Sequence, residues 1–268
     1  MDRSKKKRLR DLIYHASHYL CVCRCIACEE IIAENEVMCE ECRAAFDMGC
    51  FASCGICDMP LSTCLCAESS LEGSGIRRHV KLYRYDTNDH DAVGNRILYR
   101  LKVRNVATCF RFLGDRLAQT TQKLIAIDDS YLVSFIPRTP SRVLDYGHDQ
   151  SKEIALEMSL VLDLPMEVLF KRSIHAHTQK KLTSAQARKE NIESGLSLKN
   201  DITDKVKGRR VLLVDDIVTS GASMRVAAKL LREAGAREVI AVSVAIVSRV
   251  KNLKTEAEKN SRLPYYMR

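Results

Sequence analysis

No run of 18 apolar residues occurs in the 268-residue sequence, which excludes a transmembrane helix. Tryptophan is absent and there are only five prolines. An apolar leader is missing as well. The basic start Met1 to Arg8 leads into Leu12-Ile13-Tyr14-His15, which is too short and too polar for a signal peptide. These absences make the cytoplasm the expected location, with no membrane insertion. Cysteine is almost missing from three quarters of the chain: of twelve, eleven lie between Cys21 and Cys66, and only Cys109 lies beyond. A secreted disulfide framework does not fit that placement without an export signal. Hydrophobic residues make up 46% and charged residues 29%, which supports a packed core and excludes general disorder. The length allows one large domain or two.

Clustered thiols in a reducing compartment are expected to bind metal. The pairs Cys25/Cys28, Cys39/Cys42 and Cys54/Cys57 have C-x-x-C spacing, and Cys64-Leu65-Cys66 follows them. A C-x-x-C turn lets two thiolates converge on one zinc ion at about 2.3 Å, and two such turns complete a tetrahedron. Cys25, Cys28, Cys39 and Cys42 form one closed set; Cys54, Cys57, Cys64 and Cys66 form a second. The spacing leaves open a single zinc site, or an interleaved pairing of Cys25/Cys28 with Cys54/Cys57. Four thiolates leave no open position for water, so the expected zinc is structural. The segment has few core residues, and metal binding is expected to supply much of its folding energy.

Charge divides the chain. Residues 1–66 hold eight Lys/Arg and ten Asp/Glu, a formal −2, while residues 67–268 carry a formal +11. A polyanion is therefore expected on the larger, C-terminal part. The small polar stretch Glu68 to Gly75 reads as a linker or turn. Beyond it, apolar positions recur at helical spacing over 93–101, 106–124, 150–162 and 222–234, and strands are expected at 131–136, 166–170, 211–214 and 239–247. This alternation predicts an α/β fold with a parallel sheet. The expected division is a basic tail over 1–20, a cysteine-rich domain over 21–76, an α/β domain over 77–250 and a basic tail over 251–268.

The most informative stretch is Val211-Leu212-Leu213-Val214-Asp215-Asp216-Ile217-Val218-Thr219-Ser220-Gly221-Ala222-Ser223. An apolar strand leads into two carboxylates and then a small, hydroxyl-rich loop that opens a helix. Backbone N–H groups at a helix N-terminus favour a phosphate dianion. Thr219, Ser220 and Ser223 add hydroxyl donors, while Gly221 and Ala222 let the backbone come close. Asp215 and Asp216 would repel a phosphate, so sugar hydroxyls or a metal are their expected partners. A ribose carrying a 5-phosphate satisfies both halves.

This stretch resembles the phosphoribosyl-pyrophosphate (PRPP) motif of type I phosphoribosyltransferases. With the cysteine pairs, Leu82 to Asp86, Leu98 to Lys102, Ile136-Pro137 with Arg142, and Gln179 to Asn191, the chain resembles the ComF family, a zinc ribbon joined to a phosphoribosyltransferase-like domain. The resemblance runs from Cys25 to about Val247. It implies a type I phosphoribosyltransferase-like parallel sheet with helices on both faces. It also implies PRPP or ribose 5-phosphate as ligand, Mg²⁺ with PRPP if the domain is active, and catalytic roles for Asp215 and Asp216. Arg138 falls where such domains place a pyrophosphate loop. The biological role implied is DNA uptake and handling of single-stranded DNA in natural competence, with competence proteins such as a ComF-type helicase as partners. The alternatives are an active phosphoribosyltransferase of nucleotide salvage or a PRPP-sensing regulator. One departure stands out. The family's usual R-G-F-N-Q reads Tyr146-Gly147-His148-Asp149-Gln150 here, with a carboxylate where an anion would sit. Two basic stretches, Arg96/Arg100/Arg104 on one helical face and Lys171 to Lys189, are candidates for a polyanion.

Overall fold

The structure, a computed structural model, describes residues 12, 22–34, 36–103, 107–173 and 195–247. Cys21, Arg104, the stretch 174–194 with Gln179, Lys180, Lys181, Arg188, Lys189 and Asn191, and the basic ends 1–11 and 251–268 lie outside the described residues.

The elements in chain order are α1 (Glu40–Cys50), β1 (His79–Tyr85), α2 (Val93–Val103), α3 (Ala107–Leu124), β2 (Tyr131–Phe135), α4 (Pro140–Tyr146), α5 (Gln150–Leu162), β3 (Phe170–Arg172), β4 (Leu196–Leu198), α6 (Thr203–Val206), β5 (Arg210–Val218), α7 (Ala222–Glu233) and β6 (Glu238–Val247). Four strands form one parallel sheet in the order β1-β6-β5-β2, and β3 pairs antiparallel with β4.

The sheet explains the apolar run of β5. Successive residues of a strand face opposite sides. Leu212 and Val214 join a core with α3, α5 and the cysteine-rich segment; Val211 and Leu213 join a second core with α7. Both faces are covered, so alternation in the sequence disappears. Burying each such side chain contributes about 1.5–3 kcal/mol, which makes this strand the centre of the fold. Gly114 permits the close packing of α3 on α5. A Cβ there would come 2.4 Å from the Glu157 Cβ.

Helices α5 and α7 match the expected spans to within a residue. The apolar spacing of 222–234 predicts Val226, Ala227, Leu230, Leu231 and Ala234 as the buried face of α7, and the observed face is rotated from it. Ala222, Met224, Ala227, Ala228 and Leu231 are buried, while Val226 and Leu230 sit at its margin. The strand expected at 166–170 is shifted: Met166 makes only an isolated parallel bridge to Val133, and β3 begins at Phe170.

Of the two readings of Glu68 to Gly75, linker or turn, the structure has the turn, and the stretch is docked on the domain. Ser69–Leu71 forms a turn of 3₁₀ helix, Leu71 is buried in the α7 core, and Ser74 is buried beside it. The cysteine-rich segment is likewise packed onto the sheet. Phe46 of α1 meets the rings of Tyr83 and Phe112 edge-on, at 5.9 and 5.3 Å. Cys25, Ile26, Met38 and Cys42 share one continuous core with β1, α2 and α3.

Candidate functional site

Parallel strands place their carboxyl ends on one edge of the sheet, where ligands of such folds bind. β5 runs on through both acids to Val218, so Asp215 and Asp216 belong to the strand's last turns of pleat rather than to the loop. Thr219 and Ser220 make the turn, and Gly221 caps α7 at φ +69°. That conformation favours glycine, and a Cβ there would meet the Ser70 carbonyl oxygen at 2.5 Å. The docked 68–75 stretch therefore backs the loop directly.

Four elements bring polar groups to this edge. Ser151, at the start of α5, donates its hydroxyl to Asp215 Oδ1 at 3.0 Å, and the Asp216 N–H donates to the same oxygen at 2.9 Å. Arg138, just after β2, donates to Asp216 Oδ2 at 2.7 Å, and both side chains are about nine-tenths covered, at 13% and 14% exposure. Arg172 of β3 donates to the Ser223 hydroxyl at 2.7 Å and to the Pro137 carbonyl at 3.2 Å. Burial, then the adjacent Asp216 charge, pushes the Asp215 carboxyl well above the ordinary carboxylate range. Burial also pulls the Arg172 guanidinium below its usual value, against the attraction of Asp215. The cluster is a small, dry arrangement of two cations, two acids and several hydroxyls, with the phosphate loop as its floor.

The departure at 146–150 has a structural role. His148 and Gln150 are buried and both reach the Leu101 carbonyl, at 2.8 and 2.9 Å. Asp149 caps α5 by accepting from the Lys152 N–H at 3.3 Å, and its other oxygen accepts the Arg138 N–H at 2.8 Å. Burial raises the Asp149 carboxyl. The segment thus holds the Pro137–Arg138 turn in place instead of presenting a cation to it. Sequence reasoning misses Arg172 and Ser151 as site residues: Arg172 reads as one more cation of a basic stretch, and Ser151 has the pattern of any helix-start residue. Asp149 stands out in the sequence only as a carboxylate on the pyrophosphate side, and its bond to the Arg138 N–H needs the fold.

The eight paired cysteines gather into two quartets, Cys25/Cys28/Cys39/Cys42 and Cys54/Cys57/Cys64/Cys66, with all sulfurs of a quartet within 4.8 Å of one another. This is the sequential pairing, and the interleaved one does not form. The donor set fits zinc. A tetrahedron with arms of about 2.3 Å has edges of about 3.8 Å, and Cys28 Sγ lies 3.7 Å from Cys39 Sγ. The N–H groups of Ala27 and Cys28 point at Cys25 Sγ, at 3.4 and 3.5 Å. Burial pushes the Cys25 thiol up, yet these donors outweigh it and bring it down to about 7; Cys54 reaches about 7 in the same way. Burial pushes Cys28, Cys42, Cys64 and Cys66 up, so one thiol of each quartet is primed to become a thiolate ahead of its neighbours. The first quartet also draws cations from α2: Arg96 donates to Cys42 Sγ at 3.8 Å, and Arg100 donates to the Cys25 carbonyl at 3.3 Å and pairs with Glu29 at 3.2 Å. Arg96 and Arg100, the two described members of the basic stripe, thus both reach the segment of the first quartet. Beside the second quartet, the fully buried Lys81 donates to the Cys66 carbonyl at 2.6 Å and pairs with Glu68 at 3.3 Å. Burial pushes Glu68 up, but His79 at 2.5 Å and Lys81 hold it at about 2.

Residues 150–263 match the phosphoribosyl transferase domain family. Competence protein F of Haemophilus influenzae is 36% identical over 97 residues, which span 35% of this chain and 40% of that protein. The chain therefore spans less than half the length of this curated relative. Among solved structures, the allosteric regulatory enzyme of purine biosynthesis is 25% identical, with a TM-score of 0.35 over 50% of this chain and 25% of that one. Glutamine PRPP amidotransferase from B. subtilis, complexed with ADP and GMP, is 24% identical, with a TM-score of 0.34 over the same shares. The parallel sheet, the loop after β5 and the family match define a phosphoribosyltransferase-type domain protein. With two cysteine quartets ahead of that domain, the chain is similar to competence protein F over the matched 97 residues.

Proposed function

We propose that this protein binds PRPP or a ribose 5-phosphate ligand at the carboxyl edge of its sheet, and serves the handling of single-stranded DNA in natural competence. One observation carries the ligand reading: a paired-acid strand end and a small phosphate loop converge with two partly buried arginines from separate segments, Arg138 and Arg172. The 5-phosphate sits on the N–H groups and hydroxyls of residues 219–223. Asp215 and Asp216 receive the ribose hydroxyls, and Arg138 is the cation of the pyrophosphate side. Mg²⁺ accompanies PRPP on that side. The two quartets hold structural zinc, which closes the loops of the N-terminal segment onto the sheet. The competence role is supported by the likeness to competence protein F.

Calorimetric titration of PRPP into the purified, metal-loaded protein, with and without Mg²⁺, tests the ligand reading. Saturable heat that is absent in a double Asp215→Asn, Asp216→Asn variant is the expected result, and no heat under either condition overturns it. Pyrophosphate release with a common base in the same samples would favour an active salvage transferase over a binding protein.

A further inference from the structure

A wide groove lies outside the ribose-phosphate site and includes none of residues 215–223 in its lining. It encloses about 1170 Å³ along the solvent face of α7, from Arg225 in the helix's first turn past the docked stretch 73–77 to the amino ends of β5 and β6. Six cations line it against two carboxylates. Arg225, Lys229 and Arg232 fall at i, i+4 and i+7 along α7 and make a basic stripe about 10 Å long. Arg77 and Arg237 extend it across the strand ends, beside Arg210, which is paired with Asp128 at 3.2 Å and Glu238 at 3.8 Å. Two of the guanidiniums are held in place from behind. Arg225 donates to the carbonyls of Ser70 and Ser220, and Arg232 donates to the Ser74 carbonyl at 3.0 Å. Arg77, Lys229 and Arg237 are exposed and have no ion pair among the described residues, while the groove's Glu238 is already taken by Arg78 at 2.6 Å.

We infer that this groove binds the phosphodiester backbone of single-stranded nucleic acid. The inference rests on the nucleic-acid half of the proposed function and assigns it a site that adjoins the ribose-phosphate loop at Arg225 but uses none of residues 215–223 as lining. The cations are too many and too spread for one phosphate group, and the volume exceeds the usual range for a small-molecule site, about 300–1,000 Å³. Arginine forks fixed by backbone carbonyls suit repeated phosphates, which they bind in bidentate fashion. Besides its two carboxylates, the described lining offers arginine, lysine and small or aliphatic side chains, so binding there should depend on charge and little on sequence. The lining does not include Arg96 and Arg100, which reach the segment of the first cysteine quartet.

The test uses the full-length, metal-loaded protein and a short labelled oligodeoxythymidylate, read by anisotropy across a salt series. Each phosphate contact contributes about −0.7 to the slope of log affinity against log salt. The triple variant Arg77→Glu, Lys229→Glu, Arg237→Glu should lose at least about tenfold in affinity and flatten the slope by about 2. Its PRPP titration should match the unaltered protein. Asp215→Asn with Asp216→Asn should leave oligonucleotide binding unchanged. Undiminished binding by the triple variant overturns the groove while leaving nucleic-acid handling intact. No salt-sensitive binding by the unaltered protein overturns both, and does so without touching the PRPP reading. Equal competition by polyglutamate would assign the groove to an acidic protein partner and overturn the inference.

Discussion

Arg138 Nη2 lies 2.7 Å from Asp216 Oδ2, so the cation expected for pyrophosphate is already bonded to an acid expected for ribose. The pair joins the turn after β2 to the end of β5, two segments nearly 80 residues apart in sequence. Before any ligand arrives, each charge answers the other in a nearly dry site, where an unpaired charge is costly. A ligand that presents hydroxyls to Asp216 and phosphates to Arg138 satisfies both groups without leaving either alone.

Arg138→Met should therefore separate the two halves of the ligand. A charge-assisted hydrogen bond is worth about 1.5–3 kcal/mol. PRPP affinity should fall at least about tenfold, while ribose 5-phosphate, which lacks the pyrophosphate, should lose much less. Equal losses for both ligands, measured by calorimetry, would place Arg138 in the fold rather than on the pyrophosphate side.

Asp215 gives a pH prediction. Its folded-state pKa lies well above that of the unfolded chain, because burial and the neighbouring Asp216 disfavour its charge. The folded state thus holds a proton that the unfolded state releases first. Stability is highest below the unfolded value, near pH 4, and falls as the pH rises from there toward the folded value. Asp215→Asn should melt higher than the unaltered protein at pH 7, and the advantage should shrink as the pH drops through about 4. Together with Asp216→Asn it should still weaken PRPP binding by at least about a hundredfold. A double variant that melts normally but binds PRPP normally would leave the acids with a role in the fold alone.

Arg172 links the two phosphate-facing segments through the Pro137 carbonyl and the Ser223 hydroxyl. Arg172→Lys keeps the charge and loses the fork, which can hold both partners at once. The expected loss is at least about tenfold for PRPP and for ribose 5-phosphate alike, since Ser223 belongs to the 5-phosphate loop. Full affinity in the lysine variant would show that only charge matters there.

Metal content should report two independent sites. The intact protein should hold about two zinc ions, and Cys39→Ser or Cys64→Ser should each lower the count to about one. Elemental analysis of protein purified under reducing conditions checks this. Loss of both ions in either single variant would contradict the separation of the quartets.

Much of the fold was legible because its signals are local. Gln150–Leu162 and Ala222–Glu233 carry their own periodicity, and the run Val211 to Val214 shows a strand covered on both sides. C-x-x-C spacing likewise brings thiols together whatever the surroundings, so the two quartets could be read from the chain. Other features depended on what packs where. Glu68 to Gly75 has the composition of a linker or turn, yet Leu71 finds a pocket beside α7, and Gly221 leaves room for the Ser70 carbonyl. Arg96 and Arg100 share a helical face with no sign of a partner until α2 meets the sulfur cluster. Arg172 and Arg225 look like ordinary basic residues of their segments. One becomes part of the phosphate site and the other a wall of the groove only when distant segments are brought together. Spacing along a chain determines which residues can share a turn or a strand face; the direction of a long charged side chain is decided by the carbonyls, acids and sulfurs that tertiary packing sets within its reach.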